Sequence, residues 1–192
     1  MAQQSVQRRL AAILAADVVG YSRLMGADEE GTFAALKARR HDLLQPMVAQ
    51  HHGRIVKVMG DGVLVEFASA VSAVQCAVDL QEAMATANRE LPEDRHIMLR
   101  IGVNLGDVMV EGSDLYGEGV NVAARLESVA EPGSVFVSGK VRQEVGEKLR
   151  LTFDDLGERT LKNIVSPVQV YRVSSATTAT RSSHFAKAAE TL

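Results

Sequence analysis

The chain has 192 residues, 46% hydrophobic and only 4% aromatic, and 21 Lys plus Arg against 24 Asp plus Glu leave a formal net charge of -3. These figures describe one globular domain with at most a short tail. They exclude a large electrostatic footprint on nucleic acid, so an anionic ligand must meet local positive charge. The single cysteine, Cys76, excludes an intrachain disulfide and a cysteine-built zinc site and points to a reducing, cytoplasmic setting.

Residues 10–19, LAAILAADVV, read as a buried central strand preceded by an arm over residues 1–9. The run is short of the ~18 apolar residues of a membrane span. It ends at Asp17 rather than at a small-residue cleavage site, so no secretory leader is expected. From Asp28, Phe33, Leu36, Leu43, Leu44 and Met47 recur at helical spacing and predict an amphipathic helix kinked by Pro46 and closed at Gly53. His51 and His52 sit at that helix end, where they suit the helix dipole rather than catalysis.

RIVKVMG and VLVEF, separated by Asp61 and Gly62, predict a tight antiparallel hairpin. Ser69 then caps a helix with Ala73, Ala77, Leu80 and Met84 on one face, fading through Asn88 into the Pro92 loop. Cys76 lies among these apolar positions and is assigned no chemistry. IMLRIGVNLG and DVMVEG form a second pair of strand-like runs, followed by a helix over residues 119–129 carrying Val122, Leu126 and Val129. SVFVS and VQVYRV supply further strands. The order predicts an α+β fold with helices packed on a mostly antiparallel sheet, and residues 174–192, rich in Ser, Thr and Ala, predict a flexible tail or linker.

Two aspartates stand at awkward places: Asp17 at a strand end and Asp61 at a hairpin tip. Turn chemistry explains either alone. After Asp17, however, VVGYS brings Gly20, Tyr21 and Ser22 into a turn and helix start whose amides suit phosphate, and a neighbouring carboxylate completes the outline of a two-ion phosphoryl-transfer site.

In ADVVGYSRLM, KVMGDGVLVEF, RIGVNLGDVMVEG and DLYGEGVNVAARLE, in that order, the chain resembles the class III nucleotidyl cyclases over residues 10–173. It looks most like bacterial catalytic domains carried by larger regulators. The resemblance implies a ferredoxin-like cyclase fold and conversion of ATP to cyclic AMP and pyrophosphate by attack of the ribose 3'-hydroxyl on the α-phosphate. It implies that Asp17 and Asp61, with the Val18 carbonyl, hold two magnesium or manganese ions. Asn121 would position the ribose and Arg125 would stabilise charge on the α-phosphate, while Arg100 and Lys162 would contact the triphosphate.

Lys57 and Asp114 match the family's purine-reading pair. A Lys donor and an Asp acceptor complement adenine, whereas guanylyl cyclases typically carry Glu and Cys there. Tyr116 stands where many members have Trp and Gly119 where Thr is frequent; neither is one of the metal, base or transition-state positions. The resemblance further implies a head-to-tail homodimer, with Asp17, Asp61 and Arg100 from one subunit and Lys57, Asp114, Asn121, Arg125 and Lys162 from the other. A regulatory domain or partner protein would set its activity. A guanylyl or dual-specificity cyclase, and a catalytically idle nucleotide-binding regulatory dimer, stay open as alternatives.

Overall fold

The computed structural model describes residues 6–175. Strand β1 (Gln7–Val18) enters first and is followed by helices α1 (Tyr21–Ala27) and α2 (Glu29–Arg39), a π-helical segment (Arg40–Leu44) and α3 (Gln45–Gln50). The hairpin β2 (Arg54–Met59) and β3 (Gly62–Phe67), helix α4 (Ala70–Asn88) and the long strand β4 (Leu99–Glu111) come next. The chain then forms β5 (Asp114–Tyr116), α5 (Glu118–Val129), β6 (Val135–Ser138), α6 (Gly139–Val145), β7 (Leu151–Arg159) and β8 (Val168–Ser175).

The strands form one sheet in the order β2-β3-β1-β4-β6-β8-β7, with β5 paired to β4. Every pairing among the described residues is antiparallel except β4 with β6, so the expected α+β architecture with a mostly antiparallel sheet is observed. Alternation along β1 divides the two faces. Ala12, Leu14 and Ala16 face the main core with α4, while Ala11, Ile13 and Ala15 face Val108, Leu115 and Ala123 on the side covered by α5.

Several sequence expectations are corrected. The first strand begins at Gln7, so part of the expected arm belongs to the sheet. Of the expected tail, Ser174 and Ser175 close β8, and the remainder lies outside the described residues. The helix after Asp28 is broken by the π-helical segment, in which the Gln45 amide reaches back to the Arg40 carbonyl immediately before Pro46. That wider turn makes room for a proline ring that an α-helix would crowd. Phe33 is 63% exposed and leaves the expected apolar stripe, whereas Leu36, Leu43 and Met47 pack against the main core and Leu44 is buried in it. The hairpin turn is Gly60–Asp61 rather than Asp61–Gly62: Met59 pairs with Gly62, and Gly60 takes φ +56°. Val129 is half exposed instead of facing the core with Val122 and Leu126.

The largest correction concerns the second pair of strand-like runs, which is one strand, β4. Gly106 resembles a turn residue in sequence but has a packing task. A Cβ there would lie 2.9 Å from the Gly119 Cα, and one on Gly119 would lie 2.7 Å from the Asp107 carbonyl oxygen. The helix start thus sits directly on the strand. Ser69 caps α4 by accepting from the Ser72 amide, and Ala73, Ala77, Leu80 and Met84 are buried as expected.

Candidate active site

Asp17 lies opposite Arg100 in the β1–β4 ladder, and both point to the α5 side of the sheet. The Arg100 fork donates to both carboxylate oxygens, Nε to Oδ1 at 3.1 Å and Nη2 to Oδ2 at 2.8 Å, while Nη1 donates to the Ser128 carbonyl at 3.3 Å. Glu127 reaches the same place from α5, with Oε1 3.6 Å from Arg100 Nη2. That oxygen is buried and has no hydrogen-bond partner among the described residues. Burial, then the adjacent Asp17 and the charge of Asp61, push the Glu127 carboxyl up to about 8 against the opposing pull of Arg100. Glu127 was not a sequence candidate. It follows buried Leu126 on its helix, and only the β1–β4 register together with α5 docking brings it to Arg100.

Asp61 occupies the β2–β3 tip. Ala16 pairs with Val63, which sets Asp17 and Asp61 at the same end of neighbouring strands, and Arg40 Nη2 ties the tip down through the Gly60 carbonyl at 3.2 Å. Hard oxygen donors in the form of two carboxylates and the Val18 carbonyl suit magnesium or manganese. Burial first, and then the neighbouring Asp17, raise the Glu127 carboxyl beside them. No group of three or more His, Cys, Asp or Glu that could hold a metal ion occurs among the described residues, so an ion on Asp17, Asp61 and the Val18 carbonyl would need water or substrate oxygens to complete its coordination.

The second group surrounds Asp114. Lys57 Nζ lies 2.8 Å from its carboxylate, the Leu115 amide donates at 2.8 Å and the Tyr116 hydroxyl at 3.0 Å. Lys57 also stands 5.3 Å from the centre of the Tyr116 ring. These contacts, led by the Lys57 hydrogen bond, hold the Asp114 carboxyl below its ordinary value, and Asp114 in turn raises the Tyr116 phenol. Tyr116, treated in the sequence only as a departure from the commoner Trp, is thus a direct partner of the Lys57–Asp114 pair. Asp17, Lys57, Tyr116, Asn121 and Glu127 line one open groove of about 560 Å³, a volume in the range of small-molecule sites.

Asn121 and Arg125 share a face of α5, as their spacing requires. Asn121 is exposed in the groove and Arg125 half-buried, and the Arg125 guanidinium has no partner among the described residues. Lys162 is exposed on the β7–β8 connection, anchored beside α5 by Leu161, which packs with Val122 and Leu126. Gly20 takes φ +65° before α1. Tyr21 packs against the main core and Ser22 is exposed, so the phosphate reading of this turn rests on its backbone rather than on the tyrosine ring. His51 pairs with Asp79 at 2.9 Å, away from all of these groups.

Residues 4–175 match the family model for the adenylate and guanylate cyclase catalytic domain. Over 171 residues the chain is 58% identical to a putative adenylate cyclase 3 of Rhizobium meliloti, covering 89% of this chain and 29% of that one. It is 35% identical to an adenylate cyclase of Streptomyces coelicolor over 143 residues, covering 74% of this chain and 36% of the relative. It therefore spans well under half the length of these curated relatives. Among solved structures, an adenylate/guanylate cyclase/hydrolase from Silicibacter pomeroyi superposes with a TM-score of 0.82 at 43% identity, over 88% of this chain and 98% of the other. The adenylyl cyclase CyaB from P. aeruginosa shares the fold, with a TM-score of 0.80 at 22% identity, over 90% and 97% of the two chains.

Proposed function

The chain belongs to the family of adenylate and guanylate cyclase catalytic domains, and from that premise we propose that it converts ATP to 3',5'-cyclic AMP and pyrophosphate. The observation that carries this reading is the open groove that presents Asp17, a carboxylate for metal, and Lys57, a donor for a purine, on one surface, so that a second copy docked head to tail would meet each with its complement. Residues 10–173 would form the catalytic domain.

Asp17, Asp61 and the Val18 carbonyl would hold two magnesium or manganese ions, which supply a more acidic ribose 3'-hydroxyl and neutralise phosphate charge when bound. The protein's own groups do the rest. Lys57 would donate to adenine N1 and Asp114 accept from the 6-amino group, each exchanging its present partner for the base. Their mutual ion pair holds the two side chains beside each other before substrate arrives. Asn121 would orient the ribose. Arg125, uncommitted among the described residues, offers a fixed donor fork to charge growing on the α-phosphate. Lys162 would bind the triphosphate, and Arg100 would do so on releasing bonds it now makes to Asp17 or Ser128, with the backbone at Gly20, Tyr21 and Ser22 close to it.

We further propose a head-to-tail homodimer in which Asp17, Asp61 and Arg100 of one protomer face Lys57, Asp114, Asn121, Arg125 and Lys162 of its partner. The openness of the groove and the unpaired Arg125 support that arrangement. No helix among the described residues is long and apolar enough to cross a membrane; we place the chain in the cytoplasm, with a regulatory domain or partner protein setting its activity. The test is product analysis with manganese and ATP or GTP separately, alongside Asp61→Ala. Cyclic AMP from ATP alone, lost in the variant, is the expected result. Absence of any cyclic product from a folded, dimeric sample would overturn it.

A further inference from the structure

Strand β2 contains an irregularity with a chemical consequence. Residues three apart on a regular strand point to opposite faces. The β2–β3 register, however, shifts between Ile55 and Lys57, so Arg54 pairs with Glu66 and Lys57 with Leu64. Glu66 and Leu64 lie two residues apart and share a face, so the bulge at Val56 returns Arg54 and Lys57 to one side of the sheet.

On that side Arg54 is held at two points. Its Nε and Nη2 both donate to Glu66 Oε2, at 3.1 and 2.7 Å, and its remaining nitrogen, Nη1, donates to the Ser113 carbonyl at 2.9 Å. Glu66 is 6% exposed and takes a second ion pair from Arg9. Burial alone would raise its carboxyl, but the hydrogen bonds from Arg9 and Arg54 outweigh burial and hold it below its ordinary value. The anchor is therefore a buried, charged carboxylate.

Ser113 immediately precedes Asp114. Beyond Asp114, Leu115 is 1% exposed in the core. Asp114 thus sits between a residue clamped through its carbonyl to β2 and a residue fixed by packing. β5 itself is only three residues long and follows Gly112 at φ +60°, so the strand pairing provides little hold on its own.

We propose that Arg54, anchored by Glu66, is a positioning residue for purine selection: it fastens the β4–β5 turn to β2 and so keeps Asp114 in register with Lys57. The proposal rests on the cyclase reading of the Lys57–Asp114 pair and adds to it the device that sets the distance between its two members. The guanidinium is needed because three N–H directions serve two partners at once; an ammonium on a flexible stem cannot hold both.

The test uses the full chain with Arg54→Gln, Arg54→Lys and Glu66→Gln, and with Arg8→Gln as a control, since among the described residues Arg8 pairs with exposed Asp107 alone. Binding of ATP and of GTP is measured together with kcat and KM for each, and melting temperature shows that every variant is folded. The expected result is a fall of about 5- to 10-fold in the ATP-over-GTP preference for both Arg54 variants, carried by KM for ATP with kcat changed less than about twofold. Glu66→Gln should move in the same direction and Arg8→Gln should match the wild type. Unchanged preference and KM in a folded Arg54→Lys chain, beside a wild type that selects ATP, would overturn the positioning role alone. A wild type that neither binds nor turns over ATP in preference to GTP would overturn both the positioning role and the base reading beneath it.

Discussion

Arg100 holds both carboxylate oxygens of Asp17 across the β1–β4 ladder, at 3.1 and 2.8 Å, with partly buried Glu127 alongside. The guanidinium is the cation that balances the Asp17 carboxylate, so Arg100→Met should destabilise the chain by ~1–3 kcal/mol, read by denaturant unfolding. With the Asp17 carboxylate left uncompensated, added manganese should raise the melting temperature more in this variant than in the wild type. A smaller manganese shift in the variant would show that Asp17 does not receive the ion.

Asp17→Ala and Arg125→Ala should each abolish turnover, and an equimolar mixture should recover about one quarter of the wild-type rate. Random pairing makes half the dimers mixed, and each mixed dimer contains one complete site of two. Silent heterodimers, identified by differential tagging, would rule out sites shared between protomers.

Tyr116 donates to Asp114 at 3.0 Å. Tyr116→Phe removes only that hydroxyl and keeps the ring beneath Lys57, so KM for ATP should rise about two- to fivefold with kcat nearly constant. The double substitution Lys57→Glu with Asp114→Cys should move preference from ATP to GTP, measured as the ratio of kcat/KM values.

The Glu66 carboxyl lies below its ordinary value of 4.5 in the folded chain. The unfolded chain takes up the proton first as pH falls, so the stability contributed by this group is complete above 4.5 and is lost as pH drops toward the folded value. Glu66→Gln should therefore be less stable than the wild type near neutral pH, and the gap should narrow below pH 4.5. Urea midpoints at several pH values provide the check.

Gly102 lies beneath α5, where a Cβ would come within 2.3 Å of the Glu127 amide nitrogen and 2.4 Å of the Ala123 carbonyl oxygen. Gly102→Ala must lift the helix that carries Asn121, Arg125 and Glu127. A stability loss of ~1–3 kcal/mol is expected, together with a kcat loss larger than the change in KM. Circular dichroism separates the folded variant from an unfolded one.

The sequence carries the fold wherever the signal is local: the apolar β1, the Ser69 cap and the stripe of α4 are all readable from spacing. Gly106 misleads because glycine signals a turn in one context and close helix approach in another, and only the position of Gly119 distinguishes them. β5, α6 and β7 escape because they are short or mix polar and apolar residues at a sheet margin. The candidate site divides in the same way. Asp17, Asp61, Lys57, Asp114, Asn121 and Arg125 stand in recognisable blocks, whereas Glu127, Tyr116, Arg54 and Glu66 acquire their neighbours from strand register and a bulge, which no run of residues displays.

Cys76 is fully buried in α4, and burial, reinforced by the nearby charge of Asp79, pushes its thiol up to about 12. At pH 7 to 8 almost none of it is the nucleophilic thiolate, and solvent does not reach it. The chain therefore needs no cysteine-free background for spectroscopic labelling: a thiol introduced at an exposed position outside the groove, such as Phe33, would take up a maleimide dye or spin label alone, and the distance between two such probes would follow the approach of one protomer to another in real time.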